Sequence, residues 1–144
     1  MATLYKITES QSVKSAEFEL SYGDTMVNTS GSAVSIAVAG GTFDIIGLPR
    51  DSIVVGGEIV EETAFAGASA IAVTIGDSGS ATRYLGSTDL LGTSGRTALV
   101  PTGYVNADGL SIRLAFTPTG TTTAGKLRVR VEYVVQGKSD EVTG

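Results

Sequence analysis

Nine residues near the end of the chain, Leu127 to Val135, read Leu-Arg-Val-Arg-Val-Glu-Tyr-Val-Val, and their period of two leaves little choice of conformation. Successive side chains of an extended strand point to opposite faces. Leu127, Val129, Val131, Tyr133 and Val135 therefore share one face, while Lys126, Arg128, Arg130 and Glu132 share the other. A helix would scatter both sets around its circumference. The same alternation sets Leu110, Ile112, Leu114 and Phe116 against Ser111, Arg113 and Ala115. It also sets Ala16, Phe18, Leu20 and Tyr22 against Glu17, Glu19 and Ser21, and it recurs at Val34, Ile36 and Val38. Such patterns mark half-buried antiparallel strands. Segments 110–116 and 127–135 are expected to pair as a hairpin across the turn-rich Thr-Pro-Thr-Gly-Thr-Thr-Thr-Ala-Gly of 117–125.

The middle of the chain divides into 41–49, 52–65 and 69–76, each closed by Gly, Pro or Asp. The longest segment should bend at Gly56-Gly57, because glycine inside a strand marks a bulge or corner. Adding Thr3–Thr8 and Arg96–Pro101 gives about nine strands at the spacing of a sandwich or barrel. Ser87 to Gly95 has room for a short helical turn, capped by Ser87 or Thr88 and ended by Gly92 or Gly95. No ten-residue segment has a clean helical period, and no internal repeat stands out. The expected fold is all-β: a two-sheet antiparallel β-sandwich with jelly-roll connections and at most one short helical turn. Residues 1–10 form an N-terminal arm or first strand, 11–136 the sandwich, and 137–144 a polar tail.

Composition narrows the function. A chain of 144 residues fits one domain with a substantial core. A hydrophobic fraction of 42% and a mean hydropathy of +0.21 are too apolar for disorder. The sequence has no cysteine and no histidine, which removes disulfides, thiolate sites and the usual zinc, copper and non-haem iron ligand sets. Asp24, Asp44, Asp51, Asp77, Asp89 and Asp108 are scattered singly, so a calcium loop is not expected either. No metal and no cofactor are expected. The net charge of −5 has the wrong sign for a nucleic-acid binder. The N-terminus lacks the apolar core of a signal peptide, and nowhere do about 18 apolar residues run together, so no export and no membrane partner are expected.

Catalytic motifs fail on inspection. Gly76-Asp77-Ser78-Gly79 matches the nucleophile loop of a serine protease, yet a serine needs a base to take its proton and the sequence holds no histidine. A turn is the better reading, since Gly, Asp and Ser supply positive φ and side-chain-to-backbone bonds. Glu61 and Glu62 are adjacent on a strand, so their carboxyls diverge and cannot straddle a glycosidic bond; they read as a surface pair. The Gly-Gly pairs lack nucleotide-loop spacing. There is no tryptophan, and of five tyrosines only Tyr84 and Tyr104 fall in or near loops where they could form a sugar platform or simply anchor loops.

Three stretches, residues 61–86 (EETAFAGASAIAVTIGDSGSATRYLG), 95–104 (GRTALVPTGY) and 124–135 (AGKLRVRVEYVV), resemble the capsid decoration, or cement, proteins of tailed double-stranded DNA bacteriophages. The likeness runs from Ile53 to Val135 and rests on structural motifs; residues 1–50 match only in style. It implies a jelly-roll sandwich on the outer surface of an icosahedral head, clamping neighbouring major capsid subunits as a dimer or trimer. The protein would pass from the host cytoplasm to the virion and would not be an enzyme. Two elements are candidates for the contact. One is Thr3, Leu4, Tyr5, Lys6 and Ile7, which either adds a strand to a neighbour or is an ordinary first strand. The other is a basic patch of Arg113, Lys126, Arg128 and Arg130, which is either a solvated face or a docking surface for an acidic partner. The competing reading is a carbohydrate- or receptor-binding module of a phage tail or cell surface, which an exposed groove containing Tyr84 and Tyr104 would favour.

Overall fold

A computed structural model describes residues 13–91 and 95–135. In chain order the strands are β1 Lys14–Ser21, β2 Thr25–Val27, β3 Ala33–Ser35, β4 Gly41–Ile46, β5 Ser52–Ala66 and β6 Ala70–Gly76. They continue as β7 Leu85–Asp89, β8 Arg96–Ala98, β9 Val105–Asn106, β10 Ile112–Thr119 and β11 Ala124–Val135. No helix occurs among the described residues. The first sheet has the order β1-β11-β5-β8, with β9 also on β5. The second has the order β4-β10-β6-β7, and β2 and β3 form a separate ribbon. All pairings are antiparallel. The chain is an all-β, two-sheet sandwich in which β1 and β11 are neighbours and most connections cross between sheets. That order is compatible with a jelly roll.

The expected hairpin does not form. Strand β10 lies in the second sheet and β11 in the first. Each has one apolar face, and the link at Gly120–Thr123 lets those faces oppose each other across the core. Ile112, Leu114 and Phe116 meet the side occupied by Leu127, Val129 and Val131, and all six are fully buried. Two crossovers lock one another there. Ser69 donates its backbone N–H (2.8 Å) and its hydroxyl (3.0 Å) to the Thr119 carbonyl, and the Thr123 N–H reaches the Ala66 carbonyl at 2.8 Å. Gly125 is required at the start of β11 because its φ is 141° and a Cβ would overlap the Phe65 ring.

The core is one continuous cluster to which Leu20, Ile59, Leu127 and Val129 contribute from the first sheet and Phe43, Ile71, Ile75 and Leu114 from the second. Phe65 and Phe116 pack at 5.8 Å between ring centroids. Other expectations shift in detail. Only Ala33–Ser35 of the 33–39 segment is strand, and Ile36 is buried in the turn that follows. Strand β7 covers Leu85–Asp89, where a helical turn had room to form. The bend in β5 is a bulge at Val55, where Gly56 faces Glu132 and Val54 faces Tyr133, one residue before the glycine pair.

Candidate functional site

The loop after β6 explains the Gly-Asp-Ser-Gly motif. Asp77 is buried, and its Oδ1 accepts the backbone N–H groups of Gly79 and Ser80, both at 2.9 Å. Arg83 donates Nε to Oδ2 at 2.6 Å and Nη2 to Oδ1 at 3.2 Å, so the carboxylate is fully engaged. The bond to Asp77 also raises the Arg83 pKa. The other side of that guanidinium lies 3.5 Å from the centroid of the Tyr104 ring. Gly76 is needed because a Cβ there would strike the Ser80 and Ala81 backbone. Ser78 is exposed at the tip. The motif is an Asp-centred turn clamped by Arg83.

Tyr84 is buried, 1% exposed, and burial pushes its phenol up to about 12. Tyr104 has its ring under Arg83. The two tyrosines therefore do not make an exposed aromatic groove. A cleft of about 280 Å³ does open on the outer face of the second sheet, lined by the hydroxyls of Thr29, Thr42, Thr74 and Ser78, with Arg113 at its wall. It offers no ring for a sugar to stack on. No group of three or more Asp and Glu able to hold a metal occurs among the described residues, and no helix there is long and apolar enough to cross a membrane.

Lys126, Arg128 and Arg130 do share the outward face of β11, but Arg113 does not join them. It sits on the other sheet and donates Nε to Asp44 at 2.7 Å. Strand β11 lies between β1 and β5 in a register that sets Glu17 opposite Arg130, Glu19 opposite Arg128 and Glu58 opposite Arg130. Arg128 bonds Glu62 at 2.6 Å, Arg130 reaches Glu58 at 3.4 Å and Glu132 at 3.3 Å, and Arg96 bonds Glu58 at 2.6 Å. Lys126 lies 3.6 Å from Glu19 and 3.7 Å from Glu62. Four cations thus meet Glu19, Glu58, Glu62 and Glu132, and the expected basic patch is a charge-balanced ladder. Cross-strand neighbours supply the acids, which single-strand periodicity cannot show.

Glu61 is a correction of another kind. The bulge opposite Lys126/Leu127 makes Glu62 the extra residue, so Glu61 takes the inward slot facing Leu127 and is half-buried rather than part of a surface pair. Burial raises its pKa from 4.5 to about 7; a backbone hydrogen bond at Phe65 opposes the shift and the Asp89 charge adds to it. Among the described residues nothing donates to the buried Oε1. The candidate contact residues Thr3, Leu4, Tyr5, Lys6 and Ile7 lie outside the described residues, as does the polar tail.

Sequence reasoning missed one surface. Beyond the ion-pair ladder, the outer face of the first sheet turns apolar, with Val55 and Val100 exposed at 47% and 67%. The unbroken Ile53-Val54-Val55 run, which violates alternation, was the available signal.

No protein-family model matches the chain, and no curated protein matches it in sequence. The fold does match solved structures. A chain of the Cyanophage Pam1 capsid asymmetric unit superimposes with a TM-score of 0.62 at 23% identity, over 94% of this chain and 91% of that one. A chain of the acidic stable capsid structure of Helicobacter pylori bacteriophage KHP30 gives a TM-score of 0.65 at 15% identity, over 94% and 97%. A chain from the capsid of Ralstonia phage GP4 gives 0.62 at 12% identity, over 96% and 92%. At these identities the likeness is one of fold. Each match takes in nearly the whole of both chains, so the capsid components matched are of about this size.

Proposed function

We propose that the protein is a non-enzymatic structural component of a phage virion, a decoration or cement protein that binds the outer surface of the head and bridges major capsid subunits. The observation that carries the reading is the end-to-end match of fold and size to chains of three phage capsids. The surface is consistent with it: the charged face is balanced by its own ion pairs, Tyr84 is buried and the Tyr104 ring lies under Arg83. The mechanism is avidity. Modest contacts to two or more coat subunits raise effective concentration, so that the shell is held without any single tight contact. Thr3–Ile7, Arg113 and the Lys126–Arg130 row are the candidate contacts with the coat or with another copy.

Co-sedimentation of the purified protein with expanded heads lacking it tests the proposal, with occupancy counted per coat subunit. Saturable binding at a fixed stoichiometry is expected, and a variant lacking residues 1–10 should lose it while keeping its β spectrum and thermal transition. A folded wild-type protein that does not bind heads of the matching phage would retire the reading.

A further inference from the structure

The outer face of the first sheet is divided in two. Beside the ion-pair ladder runs a row without charge. Ile53 on β5 pairs with Val134 on β11 and with Val105 on β9, and Val13 directly precedes the Lys14–Tyr133 pair. Val55 is the bulge residue two positions from Ile53, and Val100, whose N–H bonds the Tyr84 carbonyl, lies two positions past Ala98, which pairs with Glu58 of the ladder. Val13 and Val105 are 55% and 36% exposed. Gly56 pairs with Glu132, whose carboxylate lies over it, with Oε1 3.3 Å from where a Cβ would stand, and this marks the charged edge of the row. An apolar centre edged by the charges of Glu132 and Arg130 has the anatomy of an interface core with its polar rim.

We propose that this row seats residues Thr3–Ile7 of a second copy of the chain, an inference that rests on the reading of the protein as an assembled shell component and deepens it. The sequence selects the occupant. Of the residues outside the described ones, 3–7 carry Leu4, Tyr5 and Ile7 in close succession, whereas 136–144 are polar apart from one valine. That segment joins the domain at Val13, which is itself part of the row. The five residues between, Thr8-Glu9-Ser10-Gln11-Ser12, span at most about 17 Å when extended, enough to cross to a copy packed alongside. They include no Gly, Pro, Asn or Asp, and their only turn-favouring residues are Ser10 and Ser12, which promote reversal more weakly, so the sequence favours departure from Val13 over a tight return onto its own sheet. Because every copy carries both segment and row, a reciprocal exchange about a twofold axis satisfies both at once.

The absence of cysteine makes the test clean. A Tyr5→Cys, Val100→Cys double variant, mildly oxidised, should form disulfide-linked oligomers, and mixing the two single variants should give a crosslinked heterodimer. A disulfide within one chain, or thiols that stay free, would overturn the assignment to a second copy. In parallel, sedimentation of the wild type should show self-association that Val100→Asp and deletion of residues 1–10 each weaken at least about tenfold. Val100 is well exposed, so that variant should keep its thermal transition. A wild type that stays monomeric at about 100 μM would sink the inference. If monomeric protein nevertheless saturates heads at a fixed stoichiometry, the inference fails and the decoration reading stands; association through the row with no binding to heads gives the reverse.

Discussion

Replacing Glu61 with Gln should make the protein more stable at neutral and basic pH and leave it unchanged in acid. The carboxyl has a pKa of about 7 in the fold against 4.5 when solvated, mainly because burial penalises its charge. Below 4.5 it is protonated in both states and contributes no pH dependence. Between 4.5 and 7 unfolding releases a proton, so stability falls as pH rises, by about 1.4 kcal/mol per unit. Above 7 the loss is complete. The interval of about 2.5 units sets a ceiling near 3 kcal/mol, and the partial exposure of the side chain lowers the expected value to about 1–2 kcal/mol. Glutamine keeps the shape and does not titrate. Urea unfolding of both proteins from pH 4 to 8.5 isolates Glu61, since other carboxylates cancel in the difference. The two stabilities should coincide near pH 4 and diverge to a plateau above pH 7, worth roughly 2–8 °C in melting temperature. A difference that is constant across pH would refute the argument, because it would mean that Glu61 titrates normally.

Three further outcomes follow from the geometry. Asp77→Ala leaves Arg83 and two backbone amides without their acceptor and should cost about 3 kcal/mol, read by chemical denaturation; a change under about 0.5 kcal/mol would show that the turn does not depend on Asp77. Gly125→Ala forces a Cβ into the Phe65 ring at a φ that alanine resists, and should destabilise by more than about 2 kcal/mol in a thermal melt. Arg128→Glu with Arg130→Glu breaks exposed ion pairs worth under about 1 kcal/mol each, so the fold should survive. If that row docks on an acidic partner, attachment to heads should weaken most at low salt, and attachment unchanged across salt concentrations would exclude the row as a contact.

The strands that sequence revealed best are those with one wet and one dry face. In β1, β10 and β11 alternation located the element and its inward side, so that Leu20, Leu114 and Val129 could be placed in the core from spacing alone. Pairing partners were not legible in the same way. The hairpin expected of β10 and β11 assumes that neighbours in sequence pair, but a single apolar face is equally well buried by crossing to the opposite sheet, and only tertiary packing decides between these. Short edge elements such as β9, two residues long, carry too little pattern to detect. On the surface, Arg128 and Arg130 were visible as an outward row, but their neutralisation depends on which strands flank β11. Glu61 was misplaced by one bulge, since a single inserted residue exchanges the inner and outer faces.

The position of β11 has a consequence for synthesis. Among the described strands it is the last in chain order, yet it fills a central slot between β1 and β5, so the first sheet cannot close until residues 124–135 have been translated. Until then β1 and β5 each expose an unpaired edge and an uncovered row of core side chains. A nascent or prematurely terminated chain therefore offers two sticky strands to its neighbours on a polysome, and the demand for chaperone protection should fall heavily on molecules that lack only β11 and the residues after it.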